Sequence, residues 1–131
     1  MLSTVGSLMY AMLCTWPDIC FAVGLVSHYQ SNPGPTHWQA VKRIMSYLRR
    51  TTDLTLCYQG GDLKLRAYSD ADWGGNPDES RSTSGYVFTL SGGPITWCSK
   101  KQDCITLLTM EAQYIACSIA TQEAIWLRSF L

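Results

Sequence analysis

A chain of 131 residues has room for one domain or two small ones. With 47% hydrophobic and 15% charged side chains and a net charge of zero, it is neither a disordered segment nor a uniformly polycationic binder of nucleic acid. The charge is uneven: residues 1–60 carry four basic side chains and two acidic ones, residues 61–131 six basic and eight acidic. A lead-in that touches a polyanion, joined to a half that binds a cation, suits this division, and so does ordinary solvated surface.

Six cysteines, at 14, 20, 57, 98, 104 and 117, form no C-x-x-C pair, and the histidines are His28 and His37. A structural zinc site has little support. The cysteines fall inside apolar patterns, so buried free thiols in a reducing compartment are expected rather than disulfides. Residues 1–26 are apolar and lack Lys and Arg, but a signal peptide needs a positive n-region. Pro17 and Asp18 interrupt the run, so it is not read as a membrane span.

Met1 to Cys14 reads as a helix with Val5, Leu8, Met9 and Met12 along one side. Thr15 is expected to cap a second helix, with Pro17 and Asp18 in its opening turn and its body over Ile19 to Tyr29. Ser31-Asn32-Pro33-Gly34-Pro35 breaks the chain. Thr36 and Gln39 predict a capping box for a third helix, in which Val41, Ile44, Met45 and Leu48 keep helical spacing. Lys42 and Arg49 share one of its faces, as do Arg43 and Arg50, so phosphate contact stands beside a plain solvated face. From Asp53 the period becomes two, and Leu54, Leu56 and Tyr58 predict a strand before Gly60-Gly61.

Leu63, Leu65 and Ala67 alternate into Ser69-Asp70, and residues 74–81 form a polar loop. Tyr86, Phe88 and Leu90, then Ser91-Gly92-Gly93, then Ile95 and Trp97, predict a hairpin. Thr109 is expected to cap a last helix, with Ala112, Ile115, Ile119, Ala120 and Trp126 packing inward. A boundary between Gln59 and Asp62 divides the chain into 1–58 and 62–131.

Asp70 ends a strand and Glu111 opens a helix. Hydrolysis of a phosphodiester by two divalent ions needs several carboxylates around one point, and hard cations such as Mg²⁺ take oxygen ligands. A carboxylate at a strand end and one in the first turn of a packed helix could meet there. Asp72 shares a face with Asp70 if the strand continues. Read alone, such an Asp is also a common turn former and such a Glu a common partner of the helix dipole. Glu123 lies about 18 Å along the helix from Glu111 and cannot join the same ions.

Several segments carry a resemblance to a known family. They are Val5-Gly6-Ser7-Leu8-Met9-Tyr10, Trp16-Pro17-Asp18-Ile19 and His37-Trp38-Gln39-Ala40-Val41-Lys42-Arg43-Ile44 in the first half. Tyr68-Ser69-Asp70-Ala71-Asp72-Trp73, Ser82-Thr83-Ser84-Gly85-Tyr86-Val87-Phe88, Trp97-Cys98-Ser99-Lys100-Lys101-Gln102 and Glu111-Ala112 follow in the second. In order and wording they resemble the Pol polyprotein of copia-type long-terminal-repeat retrotransposons, abundant in plants. The likeness implies an α+β or α/β chain. Residues 1–58 would be the helical, thumb-like end of a reverse transcriptase, and 62–131 the first half of a ribonuclease H-like domain with a mixed sheet and one long helix.

It further implies hydrolysis of RNA in RNA–DNA hybrids with Mg²⁺. Asp70 and Glu111 would be catalytic and metal-ligating, and Lys42, Arg43, Arg49 and Arg50 would lie against a template–primer duplex. The remainder of the Pol polyprotein is the implied partner, no membrane is involved, and the setting is intracellular, in a cytoplasmic particle or the nucleus. The family's polymerase palm and its later catalytic acids have no counterpart here, and Met110 and Gln113 replace a common Thr and Glu. The expectation is a decayed copy, inactive by itself, with a non-catalytic nucleic-acid-binding remnant as the alternative.

Overall fold

The structure, a computed structural model, describes residues 1–61, 63–72 and 81–131. The chain forms two compact units, Met1–Cys57 and Tyr58–Leu131. The polar loop expected over 74–81 lies outside the described residues apart from Arg81, as does Asp62 at the expected start of the second domain.

The first unit is helical: α1 (Leu2–Cys14), a 3-10 turn (Pro17–Ile19), α2 (Cys20–Ser27) and α3 (Pro35–Arg50). Its core is the apolar stripe of each helix turned to one centre. Val5 and Leu8 from α1 meet Ile19, Val23 and Val26, and Val41 and Ile44 from α3. Each such side chain contributes about 1.5–3 kcal/mol at most by leaving water. Tyr47 donates to the Asp18 carboxylate, tying α3 to the 3-10 turn, and this bond to a negative oxygen raises the phenol's pKa above its ordinary value.

Both helix starts in this unit differ from expectation. Thr15 closes α1 instead of opening α2, because Pro17 takes the first position of a separate 3-10 turn. In α3, Pro35 takes the first position and Gly34 the cap, so Thr36 and Gln39 fall inside the helix. The capping acceptor is His37, whose Nδ1 takes the Gly34 N–H at 2.8 Å while its ring stacks on Tyr29 at 4.1 Å.

The second unit is α+β: β1 (Arg66–Asp72), β2 (Thr83–Leu90), β3 (Gly93–Lys101) and α4 (Thr109–Phe130). The sheet has the order β1-β2-β3 with both pairings antiparallel, so the expected mixed sheet is antiparallel throughout the described residues. β2 and β3 are joined at Ser91-Gly92, as the alternation predicts. The strand expected over 54–58 is absent: its backbone joins no ladder, and Leu54 and Tyr58 stay exposed. Tyr58 instead donates its phenol to the Pro94 carbonyl at 2.6 Å.

α4 packs on the sheet through small side chains. Its buried residues are Ala112, Ala116, Ala120 and Leu127, whereas Ile119 and Trp126, expected inside, are exposed. Alanine every fourth residue makes a shallow stripe that lets the helix axis approach the strands closely. The large residues beside it then overhang the sheet, and Trp126 stacks on Phe130 at 5.3 Å. The cysteines are free, as expected, but only Cys20 is buried; Cys98 is half-buried, and Cys14, Cys57, Cys104 and Cys117 are exposed.

Candidate functional site

Asp70 lies on β1 opposite Gly85 of β2. Successive side chains of a strand alternate between faces, so Ser69 and Ala71 turn toward α4 while Tyr68, Asp70 and Asp72 turn away. Ala71 joins Ala112 and Ala116 of α4 in one buried cluster. Asp70 immediately precedes Ala71, and Glu111 immediately precedes Ala112. One helix–strand contact therefore has a predicted carboxylate on each side of it, both exposed.

The two carboxylates have different partners. Glu111 turns back toward the segment that leads into α4, where Oε2 accepts the N–H of Leu107, the residue before the cap, at 3.0 Å. With Leu108 at the cap, α4 has no side-chain cap bond, and Thr109, expected to cap it, is its first residue. Asp70 Oδ1 accepts its neighbour's amide, Ala71 N–H, at 2.8 Å, and the side-chain amide of Gln113 at 2.9 Å. Gln113 thus reaches the strand acid from α4, a position whose role sequence reasoning missed. The signal was spacing: residues two apart on a helix lie about 200° apart round its axis, so 111 and 113 address different sides.

These bonds, that from Gln113 the larger cause and that from Ala71 next, hold the Asp70 carboxyl below the usual carboxylate range. Among the described residues no three His, Cys, Asp or Glu side chains come together as a metal-holding group. Asp70 and Glu111 do not by themselves make the several-carboxylate centre that a pair of Mg²⁺ ions requires. Beside Glu111 runs an open groove of about 460 Å³, walled by Cys104, Ile105, Met110 and Tyr114.

The basic residues singled out in the first unit, Lys42, Arg43, Arg49 and Arg50, are all exposed on α3, with Arg49 and Arg50 in its last turn. Lys42 Nζ sits 5.8 Å from the centre of the Trp38 ring. Val41 and Ile44 hold the opposite face in the core, so the charged face is set by the packing. No helix among the described residues is long and apolar enough to cross a membrane.

Comparison with known proteins places the chain among mobile-element polyproteins. It is 55% identical over 129 residues to the retrovirus-related Pol polyprotein from transposon TNT 1-94 of Nicotiana tabacum, covering 98% of this chain and 10% of that protein. To the Pol polyprotein from transposon RE2 of Arabidopsis thaliana it is 41% identical over 128 residues, 97% of this chain and 9% of the other. It is also 51% identical over 127 residues to the secreted RxLR effector protein 161 of Plasmopara viticola, covering 96% of this chain and 89% of that one. No protein-family model matches the chain, and no solved structure does. The chain spans about 10% of the length of the tobacco polyprotein. Matched along nearly its whole length by plant transposon polyproteins, the chain is homologous to one stretch of a retrotransposon Pol polyprotein.

Proposed function

We propose that this chain corresponds to the stretch of a copia-type Pol polyprotein that runs from the helical end of the reverse transcriptase, over 1–58, into the ribonuclease H domain, over 62–131. Its role there is Mg²⁺-dependent hydrolysis of RNA in RNA–DNA hybrids during reverse transcription, in an intracellular setting. The observation that carries the reading is the packing of α4 on β1 through Ala71, Ala112 and Ala116, which brings the strand of Asp70 beside the helix turn of Glu111. The match to plant transposon Pol polyproteins supports it. Among the described residues no third carboxylate joins Asp70 and Glu111, and in this reading the chain alone is inactive and depends on the remainder of Pol.

The test is cleavage of a labelled RNA–DNA hybrid in Mg²⁺ by two proteins. One is the chain alone; the other is the chain extended by the residues that follow the matching stretch in the tobacco polyprotein. The chain alone should not cut. The extended protein should, and Asp70→Asn or Glu111→Gln should abolish it. Cutting that survives both substitutions would sink the assignment of these residues.

A second reading is favoured by the exposed cations of α3: a non-catalytic remnant that holds duplex or hybrid phosphates through Lys42, Arg43, Arg49 and Arg50. Binding without cleavage by the extended protein, lost when these four are replaced, would select it.

A further inference from the structure

α4 meets the sheet through methyl groups, Ala112 and Ala116 against Ala71. Such a stripe sets how close the helix comes. It has no long side chains to interlock, so it does little to fix where the helix stands along or around its axis. A hydrogen bond is directional, and one buried side chain supplies it. Gln102 follows β3 and is 3% exposed; its backbone N–H donates to Ser82 O at 2.8 Å and so holds it beside β2. Its Nε2 has one hydrogen for each of two acceptors, Ser84 Oγ at 2.7 Å and Ala112 O at 2.9 Å. A carbonyl oxygen only accepts, so Ala112 fixes which end of the amide faces α4. Oε1 is buried with no hydrogen-bond partner among the described residues, so what this side chain contributes lies in its nitrogen.

The two acceptors stand next to the two predicted ligands. Ser84 is the cross-strand partner of Ala71, as Gly85 is of Asp70, and Ala112 follows Glu111. Cross-strand partners put their side chains on one face, so Ser84 and Ala71 lie side by side under α4. From Asp70 to Glu111 the path runs through Ala71, Ser84, the Gln102 amide and Ala112, all buried. Gln113 also ties α4 to β1, but from an exposed position where water competes for its bonds. The segment between β3 and α4 is fastened at two further points, Thr106 to Ser82 and Leu107 to Glu111 itself.

We propose that Gln102 is a positioning residue: its amide nitrogen sets where the first turn of α4, and with it Glu111, stands against the strand of Asp70. The catalytic meaning of that placement rests on the proposed roles of Asp70 and Glu111; the placement itself does not.

The first arm of the experiment uses the full chain in metal-free buffer without nucleic acid, and reads amide exchange along α4 by NMR. Gln102→Met keeps the length of the side chain and removes both donor hydrogens. It also removes the buried Oε1, so the fold should hold. Amides 112–116, which bond to the carbonyls of 108–112, should exchange roughly tenfold faster, the protection of about one net hydrogen bond. Those of 120–127 should keep their native rates. Ser84→Ala leaves Gln102 in place and should give the same pattern more weakly; it decides the matter should Gln102→Met fail to fold. Unchanged rates at 112–116 would overturn the inference. So would equal acceleration along the whole helix, which marks lost stability and not lost placement.

The second arm uses the extended protein and hybrid cleavage. Gln102→Met should lower kcat roughly a hundredfold by misplacing Glu111, with KM for the hybrid unchanged. Leu127→Ala removes a buried side chain from the same helix, about 24 Å beyond Glu111, and should keep kcat. Equal kcat in the native and Gln102→Met proteins would overturn the catalytic meaning. A native extended protein that cuts no hybrid sinks the functional reading instead, and the exchange arm still decides the placement.

Discussion

The side-chain amide of Gln102 reaches the backbone carbonyl of Ala112 at 2.9 Å. The same nitrogen donates to Ser84 Oγ at 2.7 Å, and the Gln102 backbone N–H to Ser82 O at 2.8 Å. Gln102 thereby joins the start of β2, the end of β3 and the first turns of α4, beside Glu111. It is buried, as are Ser82 and Thr106, whose hydroxyls lie 3.1 Å apart. Removing one partner from a buried polar network leaves the others desolvated without a bond. Gln102→Ala is therefore expected to cost about 1–3 kcal/mol. Urea denaturation of the full chain checks this, and a midpoint within error of the native one would count against the network.

The β2–β3 turn offers a change in the opposite direction. Ser91 and Gly92 have φ of +51° and +80°, the two left-handed central residues of a tight hairpin turn. A serine bears a backbone cost there that asparagine or glycine largely avoids. Ser91→Asn is expected to raise stability by about 0.5–1 kcal/mol. Gly92→Ala should cost about 1–2 kcal/mol through backbone strain, since a Cβ at Gly92 would meet nothing within 4 Å. Thermal melts of the two variants should move apart around the native chain.

Sequence reading succeeded where a local pattern met a partner in the same neighbourhood. The stripe of Val41 and Ile44 and the alternation around Phe88 each became buried structure, with Phe88 fully enclosed. It failed where the partner was not local. Leu54, Leu56 and Tyr58 alternate like a strand, yet only an adjacent ladder makes a strand of such a segment, and next to it the chain makes a bond from Gln59 N–H to Ser91 O at 2.7 Å without forming a ladder. On α4 Ala112 and Ala120 are buried as expected, but Ile119 and Trp126 are not, because the close approach at Ala71 selects small side chains, Ala112 and Ala116. Asp70 was legible as an exposed strand carboxylate. That Gln113 would meet it depended on how α4 is rotated about its axis, which apolar periodicity on both flanks of the helix left open.

Cys98 supplies a prediction with a pH sign. Burial is the largest cause raising its thiol pKa; Lys100 pulls the other way and Glu123 adds to the rise. A thiol with its folded pKa raised above the unfolded value contributes stability that is fully present below the unfolded pKa and lost as pH rises through the folded one. At pH about 8.5, where an ordinary thiol is half ionised, Cys98 should alkylate with iodoacetamide more slowly than the exposed Cys104 and Cys57. Peptide mass spectrometry over a pH series reads the order directly. Equal rates at the three sites in the folded chain would contradict the burial at Cys98.

The basic face of α3 gives the last test. Lys42, Arg43, Arg49 and Arg50 lie outside the Val41–Ile44 core contact, so their replacement should leave the helix packed. If they hold phosphates, affinity for a hybrid duplex falls as salt rises, with a log–log slope of about 0.9 per phosphate neutralised. Arg49→Ala with Arg50→Ala should then flatten the slope by up to about 2 while weakening binding at low salt. Lys42→Ala should act similarly and also remove the cation beside Trp38. Fluorescence anisotropy with a labelled hybrid at several salt concentrations distinguishes this from a solvated face, for which neither slope nor affinity would change. An affinity that drops with no change of slope would mean that the arginines act through packing and not through phosphate contact.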